Sequence, residues 1–99
     1  MERRYYKHAM REGDKNIEKV LKALANRRRF AIFKLMHSRK EYSVGIVSEK
    51  IKLSFKSTSK HLAIMLGAGL LEREQRDLRM YYKISSDLPE IAKKILSIL

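Results

Sequence analysis

SVGIVSEKIKLSFKSTSKHLAIMLGAG, residues 43 to 69, reads as two short helices joined by a tight turn. Val44, Val47 and Ile51 recur at helical spacing in the first half. Lys52 and Leu53 leave room only for a turn before Ser54, a residue suited to cap the next helix. In that second helix Thr58, Leu62 and Met65 share one face, whereas Lys56, Ser57, Lys60 and His61 lie largely off it. Gly69 is placed to stop the helix, because glycine takes the left-handed conformation without steric cost. One face is core and the other is free for a partner, which is the layout of a helix-turn-helix.

Composition says what that partner is made of. The chain carries 23 Lys and Arg against 11 Asp and Glu, a formal net charge of +12 on 99 residues, well beyond what solubility requires. Nucleic acid is the first candidate and an anionic membrane surface the second. With 44% hydrophobic residues one core is expected. A domain of about 100 residues buries only about two-thirds of its unfolded surface, so self-association would help it. Cysteine is absent, which excludes disulfides, thiolate metal sites and thiol switches. The start MERRYYKHAM lacks the apolar stretch of a signal peptide, and the longest apolar run, Leu62 to Leu71, is about half a membrane span. A soluble, cytoplasmic protein with no membrane partner is the expectation.

Outward from the helix pair, Ile17, Val20, Leu21 and Leu24 follow the i, i+3, i+4, i+7 pattern of a first helix from Asn16. Residues 1 to 14 are basic and Tyr-bearing and end in the breaker-like Glu12-Gly13-Asp14; they form a flexible arm or an extra helix, and residues 15 to 99 form the domain. Asn26 caps a second helix running through Arg27-Arg28-Arg29 towards His37. Residues 38 to 42 read as a polar connection. After Gly69 the period changes to two: Met80, Tyr82 and Ile84 alternate with Arg79, Tyr81 and Lys83, and Leu71 to Arg76 pairs with them across a tip at Asp77-Leu78. Asp87 then precedes Leu88-Pro89-Glu90, with proline in the first turn and Glu90 at the capping-box position of a last helix. The architecture predicted is mainly α with a small β-hairpin: four helices, two strands that form a wing, and a fifth helix.

That order, with four strings inside it, resembles the ArsR-type family of winged helix-turn-helix repressors over residues 17 to 99. LKALANRRRFAIFKLM is similar to the family's opening helices, with an Arg at the place of Arg29. SVGIVSEKIKLS is similar to its support helix. STSKHLAIMLGAGLL is similar to its recognition helix, with landmarks at Ser59, His61, Leu62, Ala68, Gly69 and Leu70. RMYYKI is similar to its second wing strand. The resemblance implies a sequence-specific regulator of transcription, a repressor, that binds double-stranded DNA as a homodimer on an imperfect inverted repeat. Departures are as informative. Ser43-Val44-Gly45 stands where many members carry a metal-binding Cys-Val-Cys, and residues 86 to 99 hold no His and only Asp87 and Glu90 as carboxylates. Neither of the family's usual metal sites is expected, and no cofactor.

The residues expected on DNA are Ser54, Phe55, Lys56, Ser57, Ser59, Lys60 and His61 of the recognition helix, Arg76 and Arg79 of the wing, and Arg28 of the basic cluster. Phe55 takes a place that is often polar in the family. His61 either reads a base edge or positions the helix, and Arg29 is either an internal partner or a phosphate ligand. Tyr82, on the face of Met80 and Ile84, is expected to pack. Ile17, Leu21, Leu88, Ile91, Ile95, Ile98 and Leu99 are expected at the dimer interface, because their stripes exceed what one small core covers. No phosphate loop, thiol nucleophile or His pair at metal spacing points to an enzyme. The competing readings are a basic RNA-binding or architectural protein and a winged-helix module for protein interaction.

Overall fold

The structure, a computed structural model of the chain, describes residues 11–99. Residues 1 to 10 of the expected arm lie outside the described residues. Helix α1 (Glu12–Leu24) starts four residues earlier than the Asn16 start read from its pattern, and takes in Glu12-Gly13-Asp14. This corrects the reading of that tripeptide as a break. An Asp14 carboxylate oxygen accepts from the Arg11 backbone N–H at 3.1 Å, so the carboxylate neutralises a free donor at the helix start, where negative charge is favoured. Helix α2 (Arg27–Leu35) is capped as expected: the Asn26 side-chain oxygen accepts from the N–H groups of Arg28 and Arg29, each at 3.0 Å. It ends before His37, in a 3-10 turn at Met36–Ser38 that Arg39 closes at φ +64°.

Strand β1 (Tyr42–Ser43), helix α3 (Val44–Ile51), helix α4 (Phe55–Gly67), strands β2 (Leu71–Arg76) and β3 (Arg79–Ile84), and helix α5 (Glu90–Ser97) complete the order. The sheet has three antiparallel strands in the order β1-β3-β2, not two. β1, read as part of a polar connection, is only two residues long and shows no alternation; Tyr42 and Ser43 are drawn in by pairing with Tyr82 and Tyr81. The hairpin register runs from Leu71↔Ile84 to Arg76↔Arg79 and leaves Asp77-Leu78 as the tip. Asp77 takes φ +56° itself, a conformation that Asp tolerates better than most residues.

Two turns place α4. Ser54 caps α4 by accepting from the Ser57 N–H at 3.1 Å, and beyond its end Gly69 takes φ +76°. The Gly69 and Leu70 N–H groups return to the Leu66 and Met65 carbonyls at 3.1 and 3.0 Å, a Schellman motif. The turn between α3 and α4 is made without glycine: Lys52 sits at φ +56°, and the Leu53 N–H closes onto the Ser48 carbonyl at 3.0 Å. Val47, Thr58, Leu62 and Met65 are fully buried, as their spacing predicts. The Thr58 hydroxyl donates to the Ser54 carbonyl at 2.8 Å, so the one buried polar side chain of the described core is satisfied. Ile32, Phe33, Met36 and Leu70 fill the space between the helices and the sheet, and Tyr82 is buried with them.

The last helix begins two residues later than its sequence signals suggest. Pro89 is the N-cap, with no side-chain cap bond, so neither Asp87 nor Glu90 plays the part expected of it. Glu90 is the first helical residue and pairs with Lys93 at 3.1 Å, one turn along the same face.

Candidate nucleic-acid interface

Helix α4 faces two ways, as a period of 3.6 dictates. Its buried side docks on α3 and the core. Off that side, Ser54, Phe55, Lys56 and Lys60 are exposed and Ser57, Ser59 and His61 are half-buried. No side-chain hydrogen bond or ion pair within the described residues engages Lys56 or Lys60. The N-terminal end of α4 and the wing tip share one cleft of about 490 Å³, whose lining includes Phe55, Ile46, Leu78, Arg79 and Met80. Helix and wing thus open towards the same side of the molecule.

His61 is held from behind. Arg29 on α2 donates from Nε to the Ala23 carbonyl at 2.6 Å, from Nη2 to the Lys22 carbonyl at 3.3 Å and from Nη1 to His61 Nδ1 at 3.2 Å. One guanidinium therefore closes the C-terminal end of α1 and fixes a side chain of α4. A cation near helix C-terminal carbonyls is favourable, and a planar fork suits three acceptors at once. An Arg has no acceptor, so Nδ1 of His61 must be the unprotonated ring nitrogen. Burial, reinforced by the charges of Arg29 and Arg28, holds the imidazole pKa below its ordinary value. Arg29 is thus an internal partner within the protomer, and it orients the His61 ring through Nδ1 while leaving Nε2 unengaged by that bond.

The two wing arginines differ. Arg76 is not free at the tip. It bonds the carboxylates of Glu41 and, at 3.1 Å, Glu74, and it lies over the Tyr81 ring at 4.2 Å from the centroid. The hydrogen bond from Arg76 keeps the Glu41 carboxyl below its usual range, and Lys83, 4.0 Å from Glu41, adds to the effect. Arg79, across the tip, is exposed and makes no ion pair with the described residues. Glu41 is the signal the sequence could not offer, since it lies 35 residues from Arg76 and meets it only through β1.

Arg28 is not brought into the α4–wing cleft. It is exposed at the start of α2 and shares a separate cleft with Arg27 and Lys50. Among residues expected at a dimer interface, Ile17, Leu21 and Ile98 are exposed, and Ile91, Ile95 and Leu99 are half-buried against the core. Ile17 and Ile91 meet in one cleft between α1 and α5. Leu88 is the exception: at 5% exposure it is consumed by the protomer's own core and has no face left for a partner. Among the described residues no group of three or more His, Asp or Glu gathers to hold a metal ion, and no helix is long and apolar enough to cross a membrane.

No protein-family model matches the sequence. The transcriptional activator HlyU of Vibrio cholerae is 35% identical over 80 residues, covering 78% of this chain and 73% of HlyU. The HlyU structure superposes with a TM-score of 0.77 at 29% identity, covering 90% of this chain and 92% of that one. The chain belongs to the ArsR-type family of winged helix-turn-helix transcription regulators. Other solved structures share the fold. The transcriptional repressor PagR of Bacillus anthracis gives a TM-score of 0.71 at 25% identity over 85% of this chain and 92% of PagR. The homodimeric winged helix-turn-helix domain Mb0332 of Mycobacterium bovis gives 0.73 at 23% identity over 99% of this chain and 82% of that domain, a likeness of fold. Within the ArsR-type frame, α3 is the support helix, α4 the recognition helix and β2–β3 the wing.

Proposed function

We propose that the protein is a homodimeric repressor that binds an imperfect inverted repeat in duplex DNA and needs no metal ion to do so. The carrying observation is that Lys56 and Lys60 on α4 and Arg79 on the wing are exposed with no anionic partner within the described residues, on two elements whose Phe55 and Arg79 line one cleft. A helix of this size fits the major groove, with Ser57, Ser59 and Lys60 towards base edges and the wing crossing a phosphate backbone into the next minor groove. Arg28, with Arg27 and Lys50, supports phosphate contacts flanking the groove. The apolar stripe of Ile17, Leu21, Ile91, Ile95, Ile98 and Leu99 supports a two-fold dimer, which sets the recognition helices about 34–36 Å apart. HlyU is an activator and PagR a repressor by name; the repressor reading for this chain rests on the simpler mechanism, in which a dimer over a promoter excludes polymerase.

Selection from a random duplex pool tests the reading. An enriched palindrome supports it, and an equal preference for single-stranded DNA or RNA competitors points instead to a general nucleic-acid binder. A reproducible change in affinity on stripping or adding zinc would remove the metal-free part of the proposal.

A further inference from the structure

Two of the most exposed large apolar side chains of the described residues line the cleft formed by the start of α3, the first residue of α4 and the wing tip. Phe55, the first residue of α4, is 61% exposed, and Leu78, at the wing tip, is 96% exposed. Neither contributes much to the fold, because a side chain left in water gains nothing from burial. Asp77 already supplies the left-handed turn conformation and the Arg76↔Arg79 pairing closes the hairpin, so nothing in the turn calls for a leucine. A single exposed leucine is ordinary, but Leu78, Phe55 and the exposed Ile46 line one cleft together, and a contiguous exposed apolar patch marks a site of interaction.

Charge says which partner. Lys56 follows Phe55 and Arg79 follows Leu78, both exposed and both without an ion-pair partner in the described structure. Glu49 is the one carboxylate lining the cleft. Asp77, on the other side of Leu78, is exposed too, so the immediate charges balance. The anionic partner follows from the chain's net charge of +12 together with the uncommitted Lys56 and Arg79. Apolar tips on such a chain suit a surface that is anionic outside and apolar within, which describes the grooves of a DNA duplex. In the major groove the apolar feature on offer is the thymine methyl. In the minor groove it is the stacked base step, which apolar wedges open, least expensively at flexible pyrimidine–purine steps.

Resting on the DNA-binding reading above, we propose that Phe55 and Leu78 are specificity-determining residues. Phe55 packs on a thymine methyl in the major groove, and Leu78 enters the adjacent minor groove as a wedge that bends the duplex at a pyrimidine–purine step. The operator half-site then carries a thymine and a flexible step at a fixed separation, set by the span from α4 to the wing tip.

The test uses the full chain and a random pool of duplexes of about 30 base pairs, long enough for two half-sites one helical turn apart. Selection is run with the native protein, Phe55→Ala and Leu78→Asn, followed by binding to the recovered duplex with uracil replacing thymine and by a bend measurement from energy transfer between its ends. Removing one buried methyl should cost native protein about fourfold in affinity, whereas Phe55→Ala should be indifferent to it. Leu78→Asn should keep the thymine preference, lose the flexible step and straighten the duplex. If both variants recover the native motif with the native bend, the inference is overturned while the DNA reading stands. If the native protein enriches nothing, the DNA reading itself falls and this inference with it. A shift from dimer to monomer in either variant, with an unchanged motif, would assign the patch to a second copy of the chain and overturn the proposal too.

Discussion

The Arg29 guanidinium donates to Nδ1 of His61 at 3.2 Å while also bonding the Ala23 and Lys22 carbonyls, so one side chain ties three helices together behind the recognition surface. Arg29→Ala removes all three bonds and leaves a half-buried imidazole and two helix-end carbonyls without their donor. Urea unfolding should show a loss on the order of 2 kcal/mol. DNA affinity should fall with it, since α4 loses its rear brace. Arg29→Lys should rescue little, because an ammonium has no planar fork.

The same pair sets a pH dependence. Burial and the neighbouring arginines depress the His61 pKa in the fold, so the unfolded chain binds the proton more readily than the native one. The stabilisation is complete above the ordinary histidine value of about 6.5 and is lost as pH falls through the lower folded value. Thermal melts from pH 7.5 downward should show this decline in the native protein and a flatter profile in His61→Gln. An equal decline in both would place the titrating group elsewhere.

At the wing, Arg79→Ala and Arg76→Ala should separate. Arg79 is free for a phosphate, so its loss should reduce the salt slope of DNA binding by about one unit, on specific and random duplex alike. Arg76 is engaged by Glu41, Glu74 and the Tyr81 ring. Its loss should leave the slope nearly unchanged, and Glu41→Gln should produce the same slight drop in melting temperature as Arg76→Ala. Reversed slopes would show that DNA draws Arg76 away from its carboxylates.

Dimerisation is best probed where the protomer's own core is not disturbed. Leu21 and Ile98 are 46% and 80% exposed, so Leu21→Asp with Ile98→Asp should give a folded monomer by sedimentation, with much weakened binding to a palindrome and retained weak binding to a half-site. A dimer that survives the double substitution would move the interface off α1 and α5.

The turn of the helix-turn-helix offers a stability test. Lys52 occupies φ +56°, where a side chain costs about 1–2 kcal/mol. Glycine relieves that cost but loses about 0.5–1 kcal/mol to chain entropy. Lys52→Gly should therefore stabilise by about 0.5 kcal/mol in denaturant melts.

What the sequence made legible has a common cause. Val44, Val47, Thr58, Leu62 and Met65 follow one helix period, Asn26 and Ser54 act within three residues of themselves, and Gly69 carries its own conformational signature. The hairpin register follows from alternation. What stayed hidden depends on distance or brevity. β1 is too short for any period and exists through its pairing with β3; the Arg76–Glu41 contact spans 35 residues; and the Arg29 fork needs three helices already in place. Leu88 looked like surplus apolar area because a stripe does not reveal which of its members the protomer covers itself. At α5 the cap signals competed, and Pro89, whose missing N–H costs nothing at a helix start, displaced Asp87.

Ser43 is at once the end of a strand and the cap of a helix. It pairs with Tyr81 in the wing, and its hydroxyl accepts from the Ile46 N–H at 3.3 Å to begin the support helix. No slack lies between the two jobs, so wing and helix pair are geared through a single residue, and the protomer works as a caliper with fixed jaws. In the proposed dimer, a change in the gap between the two reading heads is then expected at the seam between subunits rather than from folding the wing away.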